Sequence, residues 1–498
     1  MSYFSRREFA KAAGALTGGA CLSQVTGCKE PITSPRKPAP QQGSVPADYT
    51  LTIAVNPVEL APNHIISTTT YNGQFPGPLL RLKEGHPVTV DIRNQTDTPE
   101  QLHWHGQFVS TNVDGAAEEG TPFIAPHGTR RITFVPKPSG LRFYHTHVRA
   151  GANLSAGQYT GQVAPVYIEP KNNPGRYDRE VFLTLKEFEP TLSRGGDMAM
   201  DFLSPATAVP ELKETGETAM KASLAKGMPH GYEVGYGSFT INGKMLGSGE
   251  PVRVKQGERV LFHILNGSAT EIRSLALPGH VFTVLALDGN PIPKPVTVPG
   301  IWLGTAERVS AIVEMNRPGV WILGDTADDD RRHGMGIVVE YAGQGGKAQW
   351  VAPKPFRWDY TAFGNSAASV PEPDQAIDMT FAKQNAASHG FNRWTINNVA
   401  FAEDHMHPLF RIQQGKRYRL RMRNASDDIH PIHLHRHSFE LVRVAGRATS
   451  GVHKDVVMVG GYQEMEVDFI ADNPGLTLFH CHQQVHMDFG FMALFEYV

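Results

Sequence analysis

Cysteine is scarce in this chain: three among 498 residues, at positions 21, 28 and 481. That excludes a disulfide-stapled scaffold. No apolar run approaches the roughly 20 residues of a membrane-spanning helix. Charge of one sign is also missing. The 47 Lys and Arg nearly balance 49 Asp and Glu, for a formal net charge of −2. Such a balance gives no basic surface for nucleic acid, and no nucleic-acid partner is expected. Glycine (49) and proline (36) are well represented, which suits a loop-rich all-β protein.

The N-terminus reads as a targeting segment. Ser5-Arg6-Arg7-Glu8-Phe9-Ala10-Lys11 resembles a twin-arginine export signal, and a modest apolar stretch follows from Ala12 to Leu22. Val25-Thr26-Gly27-Cys28 resembles a lipoprotein cleavage box, with Cys28 as the acylated residue. The expected location is the periplasm, either free or anchored to the membrane by lipid on Cys28. Ordinary cleavage or a plain N-terminal tail is the alternative. Residues 29–47, rich in Pro, Ser and Lys, read as a flexible tether. Cleavage before Cys28 would leave Cys481 as the only thiol.

That cysteine lies in the most informative stretch, His480-Cys481-His482-Gln483-Gln484-Val485-His486. On a strand, Cys481 faces one way while His480 and His482 face the other. A soft thiolate beside imidazoles favours copper, zinc or iron. Three further clusters carry His-x-His pairs: His103-Trp104-His105, His145-Thr146-His147 and His430-Pro431-Ile432-His433-Leu434-His435. Ten of the 22 histidines fall in these four clusters, far more than scattered surface residues would place together.

An internal repeat organises them. Arg81-Leu82-Lys83-Glu84-Gly85 precedes Val88, Val90, Ile92 and Asn94. Arg253-Val254-Lys255-Gln256-Gly257 precedes Val260, Phe262, Ile264 and Asn266. Arg411-Ile412-Gln413-Gln414-Gly415 precedes Tyr418, Leu420, Met422 and Asn424. Apolar residues alternate after each glycine, the mark of a half-buried strand. Nine and eleven residues beyond the asparagine lie His103 and His105 in copy one, His433 and His435 in copy three, but Leu275 and Leu277 in copy two. Five and seven residues beyond a later glycine (Gly140, Gly475, Gly319) lie His145 and His147, His480 and His482, but Gly324 and Thr326. Copies one and three thus supply the eight paired histidines, which meet if those copies face each other. Copy two supplies none and is expected to act as spacer and wall.

With these motifs the chain, over roughly residues 48–498, resembles the three-domain multicopper oxidases of the laccase type. The resemblance implies three cupredoxin-like Greek-key β-barrels. With the repeat it suggests residues 1–47 as signal and tether, 48–170 as domain one, 171–345 as a copper-free domain two, and 346–498 as domain three. A blue (type 1) copper needs two His, a Cys thiolate and a weak axial position; His430, Cys481 and His486 fit. His430 has opposite strand parity to His433, so it turns toward Cys481. Copy one has Glu100 and copy two Ile272 at that place. The family's axial position lies ten residues after the cysteine, here Phe491, which has no lone pair; Met492 follows it and reads as core.

By the same resemblance His103 and His433 would hold a type 2 copper. His105, His145 and His482 would hold one type 3 copper, and His147, His435 and His480 the other, for four copper ions in all. The implied partners are a small aromatic reductant and O2, with the chain a monomer. Asp114 matches the family's proton-carrying acid near the type 2 copper. A glutamate common in bacterial relatives after the second blue-copper histidine is replaced by Met487, with Asp488 next as a substitute proton donor. Asp455 reads as a surface-loop acid, the alternative being a residue that holds substrate, and His437 as a non-ligand; His405-Met406-His407 reads as structural, the alternative being a Cu(I) site or pocket lining. Residues 190–235 read as a surface excursion with a short helix at 211–226, the alternative being a lid. The implied activity is oxidation of phenols or aromatic amines coupled to reduction of O2 to water. Oxidation of Cu(I) or Mn(II) is an alternative, weakened because the 15 Met form no dense run. A non-catalytic copper-binding envelope protein is a third, opposed by the complete ligand set.

Overall fold

The computed structural model describes residues 46–498 apart from 172–175, 194–207, 226–229, 368 and 403–406. The twin-arginine segment, Cys28 and the tether up to residue 45 lie outside the described residues, as do Met198, Met200, Met228, His405 and Met406.

Six sheets account for the strands, two each from residues 49–169, 179–341 and 375–497. The all-β class expected from the alternation is what is observed. The repeat is visible as one strand order used three times. In the first copy a sheet runs Leu80–Lys83, Val163–Glu169, Gly140–His145, His103–His105. The second runs Val252–Val254, Gly336–Tyr341, Val320–Asp325, Arg273–Ala276, and adds Ile301–Leu303. The third runs Phe410–Ile412, Met492–Tyr497, Thr477–Cys481, His430–Leu434, and adds Val456–Val459. The strand that ends in the repeat asparagine lies in the other sheet of each pair: Val88–Asn94, Arg259–Asn266 and Arg417–Asn424. Apolar side chains along these strands are buried, as Val90, Ile264 and Leu420 illustrate.

The two invariant features of the repeat have physical causes. Gly85, Gly257 and Gly415 turn the chain at φ of 79°, 82° and 81°, a left-handed conformation that a Cβ disfavours. The asparagines tie loops to the sheet. Asn94 Nδ2 donates to the carbonyls of Thr98 and Ile124, and its Oδ1 accepts from Thr96 N. Asn266 Nδ2 donates to Glu271 and Leu303 carbonyls, with Oδ1 accepting from Ser268 N. Asn424 Nδ2 donates to Asp428 and Gly460, with Oδ1 accepting from Ser426 N. All three side chains are buried. Each fixes the start of the loop that leads to the strand carrying the histidines, or their leucine replacements.

Register then brings the pairs together. His103 lies opposite His145, and His433 opposite His480, with Ile432 opposite Cys481. In the middle copy Leu275 lies opposite Asp325 and joins the apolar core.

The helix expected at 211–226 spans Pro210–Ala225. It packs on the strand Gln375–Ser388. At Gly216 a side chain would meet the Ala425 carbonyl at 2.3 Å and the Tyr462 ring at 2.8 Å, so the helix sits close against the turn that precedes His430.

Replacing Asn266 with Ala should destabilise the protein by about 2–4 kcal/mol, because buried carbonyls and an amide lose their partner. Denaturant unfolding measures this; an unchanged midpoint would show that the asparagine is not a clamp.

Candidate metal centres

Two groups of ligand atoms form. His430, Cys481 and His486 make the first. Cys481 Sγ lies 3.7 Å from His430 Nδ1 and 3.5 Å from His486 Nδ1. Strand alternation sends Cys481 to this side and its neighbours His480 and His482 to the other. Phe491 closes the group, its ring 4.8 Å from that of His430. Met492 pairs with His480 across the strands and packs with Ala116, Leu478, Met487 and Leu494, away from the sulfur. The Trp394 ring lies 4.2 Å from His486 and 4.8 Å from His430.

The second group contains all eight paired histidines. His103, His433 and His435 come together, as do His103, His105 and His145, and His147, His435 and His480. His482 joins them, its ring 5.1 Å from His105 and 5.0 Å from His145. The expected convergence of copies one and three is thus present.

Backbone and carboxyl acceptors set the ring orientations. His103 Nδ1 donates to the Asp114 carbonyl at 2.8 Å, His145 Nδ1 to Thr146 O at 2.7 Å, His433 Nδ1 to Asp455 O at 2.7 Å and His480 Nδ1 to Cys481 O at 2.9 Å. This leaves Nε2 of His103, His145 and His433 buried without a partner. Both ring nitrogens of His482 are also without one, and Nε2 of His435 and His480 face each other at 3.0 Å. Buried nitrogens without partners are costly, and a bound cation accepts such lone pairs. The donor set therefore fits transition-metal ions, with a thiolate-bearing site of the copper type and an all-imidazole site.

Burial pushes the imidazoles of His105, His145, His147, His430, His433, His435, His482 and His486 well below their ordinary range, and His480 down to about 3. Neutral rings keep the lone pairs a metal needs. Burial raises the Cys481 thiol well above its usual value.

Asp114 lies beside the histidine cluster. It is fully buried, its Oδ2 2.8 Å from His435 Nδ1 and 3.1 Å from His103 Nδ1. Gly115 presses its loop onto the His103 strand: a Cβ there would lie 1.9 Å from the Leu102 carbonyl. Asp488 accepts from Ala150 N at 3.0 Å, Gly151 N at 2.7 Å and Gln484 Nε2 at 2.9 Å. Burial raises its carboxyl to about 7. It joins the loop after His147 to the helix Gln484–Asp488. His437 is no ligand: its ring bonds Tyr497 Oη and the His435 carbonyl.

Asp455 corrects the sequence reading. It is not a surface acid but fully buried, with Oδ1 3.1 Å from His105 Nε2. It read as a loop acid, and only its partners, distant in sequence, reveal the burial. Glu119 was also missed; it accepts from Leu478 N and pairs with Arg436 beside His435.

Three family models described as "Multicopper oxidase" match residues 53–173, 213–339 and 371–498, together most of the chain. The chain belongs to the multicopper oxidases: it is an oxidoreductase of three cupredoxin-like units whose cofactor is copper. It is 29% identical to the multicopper oxidase MmcO of Mycobacterium tuberculosis, over 99% of this chain and 97% of that one. It is 28% identical to a copper resistance protein A homolog of Pseudomonas syringae pv. tomato, over 70% of this chain and 61% of the relative. A crystal structure of a multi-copper oxidase from Pseudomonas thermotolerans matches with TM-score 0.66 and 25% identity, covering 91% of this chain and all of that one.

The lowered imidazole values set a pH dependence for the metal-free protein. In the unfolded chain these rings take up protons below about pH 6.5; in the folded chain they do not. Their contribution is fully present above that pH and is lost as pH falls from about 6.5 toward the folded values. Stability of the copper-free protein should fall by up to about 1.4 kcal/mol per pH unit for each such ring. Thermal melts of apoprotein from pH 7.5 to 5 check this, a flat profile being the contrary result.

Proposed function

We propose that the protein couples four one-electron oxidations of phenols or aromatic amines to the reduction of O2 to two waters. The observation that carries this is the pair of centres built on one strand. His430, Cys481 and His486 would hold a type 1 copper beside Phe491. The eight paired histidines would hold a type 2 copper and a type 3 pair, four ions in all, divided as the family motif divides them. We assign domains 48–170, 171–345 and 346–498 to the three sheet pairs. Bound copper supplies the one-electron redox chemistry and the O2 reduction.

The chain's own residues do the rest. Cys481 is covalently adjacent to His480 and His482, so the two centres lie on the order of 10 Å apart along backbone already in place. Phe491 offers no lone pair to a copper held by His430, Cys481 and His486, which would favour its reduced state and suit a stronger oxidant. Asp114, between His103 and His435, is placed to carry protons to the reacting oxygen. Asp488, held at the other side of the His147 loop, is the second carboxyl in this role.

The aromatic reductant is supported by the rings around His486. Trp394 covers it, and Phe391 and Phe489 stack at 4.1 Å close by. A second reading, oxidation of Cu(I) or Mn(II), is supported by acids in the same quarter. Lys383, 5.7 Å from the Trp394 ring, sits 2.6 Å from both Asp427 and Asp428, and burial raises nearby Glu233 to about 8.

The Cys481→Ser protein should lose its blue colour and its substrate oxidation while keeping copper at the histidine cluster. A blue variant would refute the assignment. Asp114→Asn should slow O2 consumption at least tenfold while leaving reduction of the blue site by substrate unchanged, with Asp488→Asn giving a smaller loss. Equal turnover in both variants and parent would remove the proton-carrying roles. Steady-state kinetics on a phenol and on Cu(I) in the same buffer separate the two substrate readings: kcat/KM at least tenfold higher for the phenol is expected, and the reverse order would favour the metal.

A further inference from the structure

One ring in the histidine cluster is turned differently from its neighbours. His103, His145, His433 and His480 point Nδ1 at a protein acceptor. His105 instead points Nε2 at Asp455 Oδ1, 3.1 Å away, and leaves Nδ1 buried and without a partner. The carboxylate accepts a proton from Nε2–H, so the lone pair lies on Nδ1, facing the cluster.

The orientation of Asp455 is itself imposed from the middle sheet pair. Arg308, the first residue of the strand Arg308–Glu314, grips both carboxylate oxygens: Nη1–Oδ1 and Nη2–Oδ2 are each 2.6 Å. The remaining guanidinium N–H groups donate to the Ala306, Asp288 and Leu141 carbonyls. All five donors are therefore used and the fork has one orientation. Arg142, from the first pair, reaches Asp455 Oδ2 at 3.3 Å. Lys454, next to Asp455, lies between Asp288 at 2.9 Å and Glu307 at 3.0 Å. Three cations and three anions, all buried, thus balance where the three sheet pairs meet. The chain leaving His105 is seated on this pair. A Cβ at Gly106 would lie 2.6 Å from Asp455 Oδ2 and 2.7 Å from Arg308 Nη2.

We propose that Arg308 is a positioning residue for the histidine cluster: through Asp455 it fixes the tautomer and angle of His105, so the copper-free middle domain is required for the cluster to hold its metal. The inference rests on the assignment of His105 as a ligand. Removing an outer partner of a metal-binding histidine typically costs 10–100-fold in metal affinity. An amide at position 455 can donate to Nε2, which moves the ring proton to Nδ1 and blocks the lone pair.

The test uses full-length holoprotein of the parent, Asp455→Asn and Arg308→Lys. Copper per chain is measured after dialysis against a graded chelator. The blue absorbance serves as an internal control for the Cys481 site, and melting temperature as a control for folding. Both variants should release cluster copper at chelator concentrations 10–100-fold lower than the parent while retaining the blue colour, with Arg308→Lys the milder. The nearly isosteric Asp455→Asn decides the matter if Arg308→Lys does not fold. Parent-like chelator resistance in a folded Asp455→Asn would overturn the proposal, and so would parallel loss of copper from both centres, which marks a purely structural role. A parent that is blue but binds no cluster copper would instead refute the ligand assignment.

Discussion

An imidazole at one strand position and another two residues on stand on the same face, and register places a second such pair on the neighbouring strand. Four rings from each of two sheet pairs meet by this rule, five of them on strands and His147, His435 and His482 just beyond a strand end. The constraint that follows is electrical. Imidazoles within a few ångströms of one another repel when charged. Burial favours the neutral form of seven of the eight, and carbonyl acceptors turn Nδ1 outward on four. The cluster thus presents buried, unpartnered ring nitrogens before any ion arrives.

The three copies show how the scaffold and its chemistry come apart. The turn glycine, the buried asparagine and the strand order are common to all three. The middle copy keeps this frame while Leu275 and Leu277 fill the histidine places with core. Its contribution lies at its edge, where Asp288, Glu307 and Arg308 meet residues of the other two copies. A unit without ligands can still set ligand geometry, because a planar guanidinium transmits orientation across an interface better than an apolar contact.

Much of this was legible in the sequence. Period-two alternation and the repeated Arg-x-x-x-Gly to Asn pattern revealed the all-β class. His-x-His spacing revealed the members of the cluster, and parity separated His430 and Cys481 from their neighbours. These signals are local, the longest running 14 residues from Arg81 to Asn94. What stayed hidden is non-local. Asp455 and His105 are 350 positions apart, and Arg308 lies on a strand whose pattern is that of ordinary core. The placing of Trp394 against His486 likewise depends on a hairpin from a different part of the third unit. No spacing rule in one chain reports such encounters.

Cys481 is the only cysteine among the described residues, and it is buried with its thiol held in the protonated form. The thiolate, not the thiol, is the species that attacks peroxide and disulfides. A freshly folded chain therefore carries its most vulnerable atom in an unreactive state. A metal held there would displace that proton and cover the sulfur in its place.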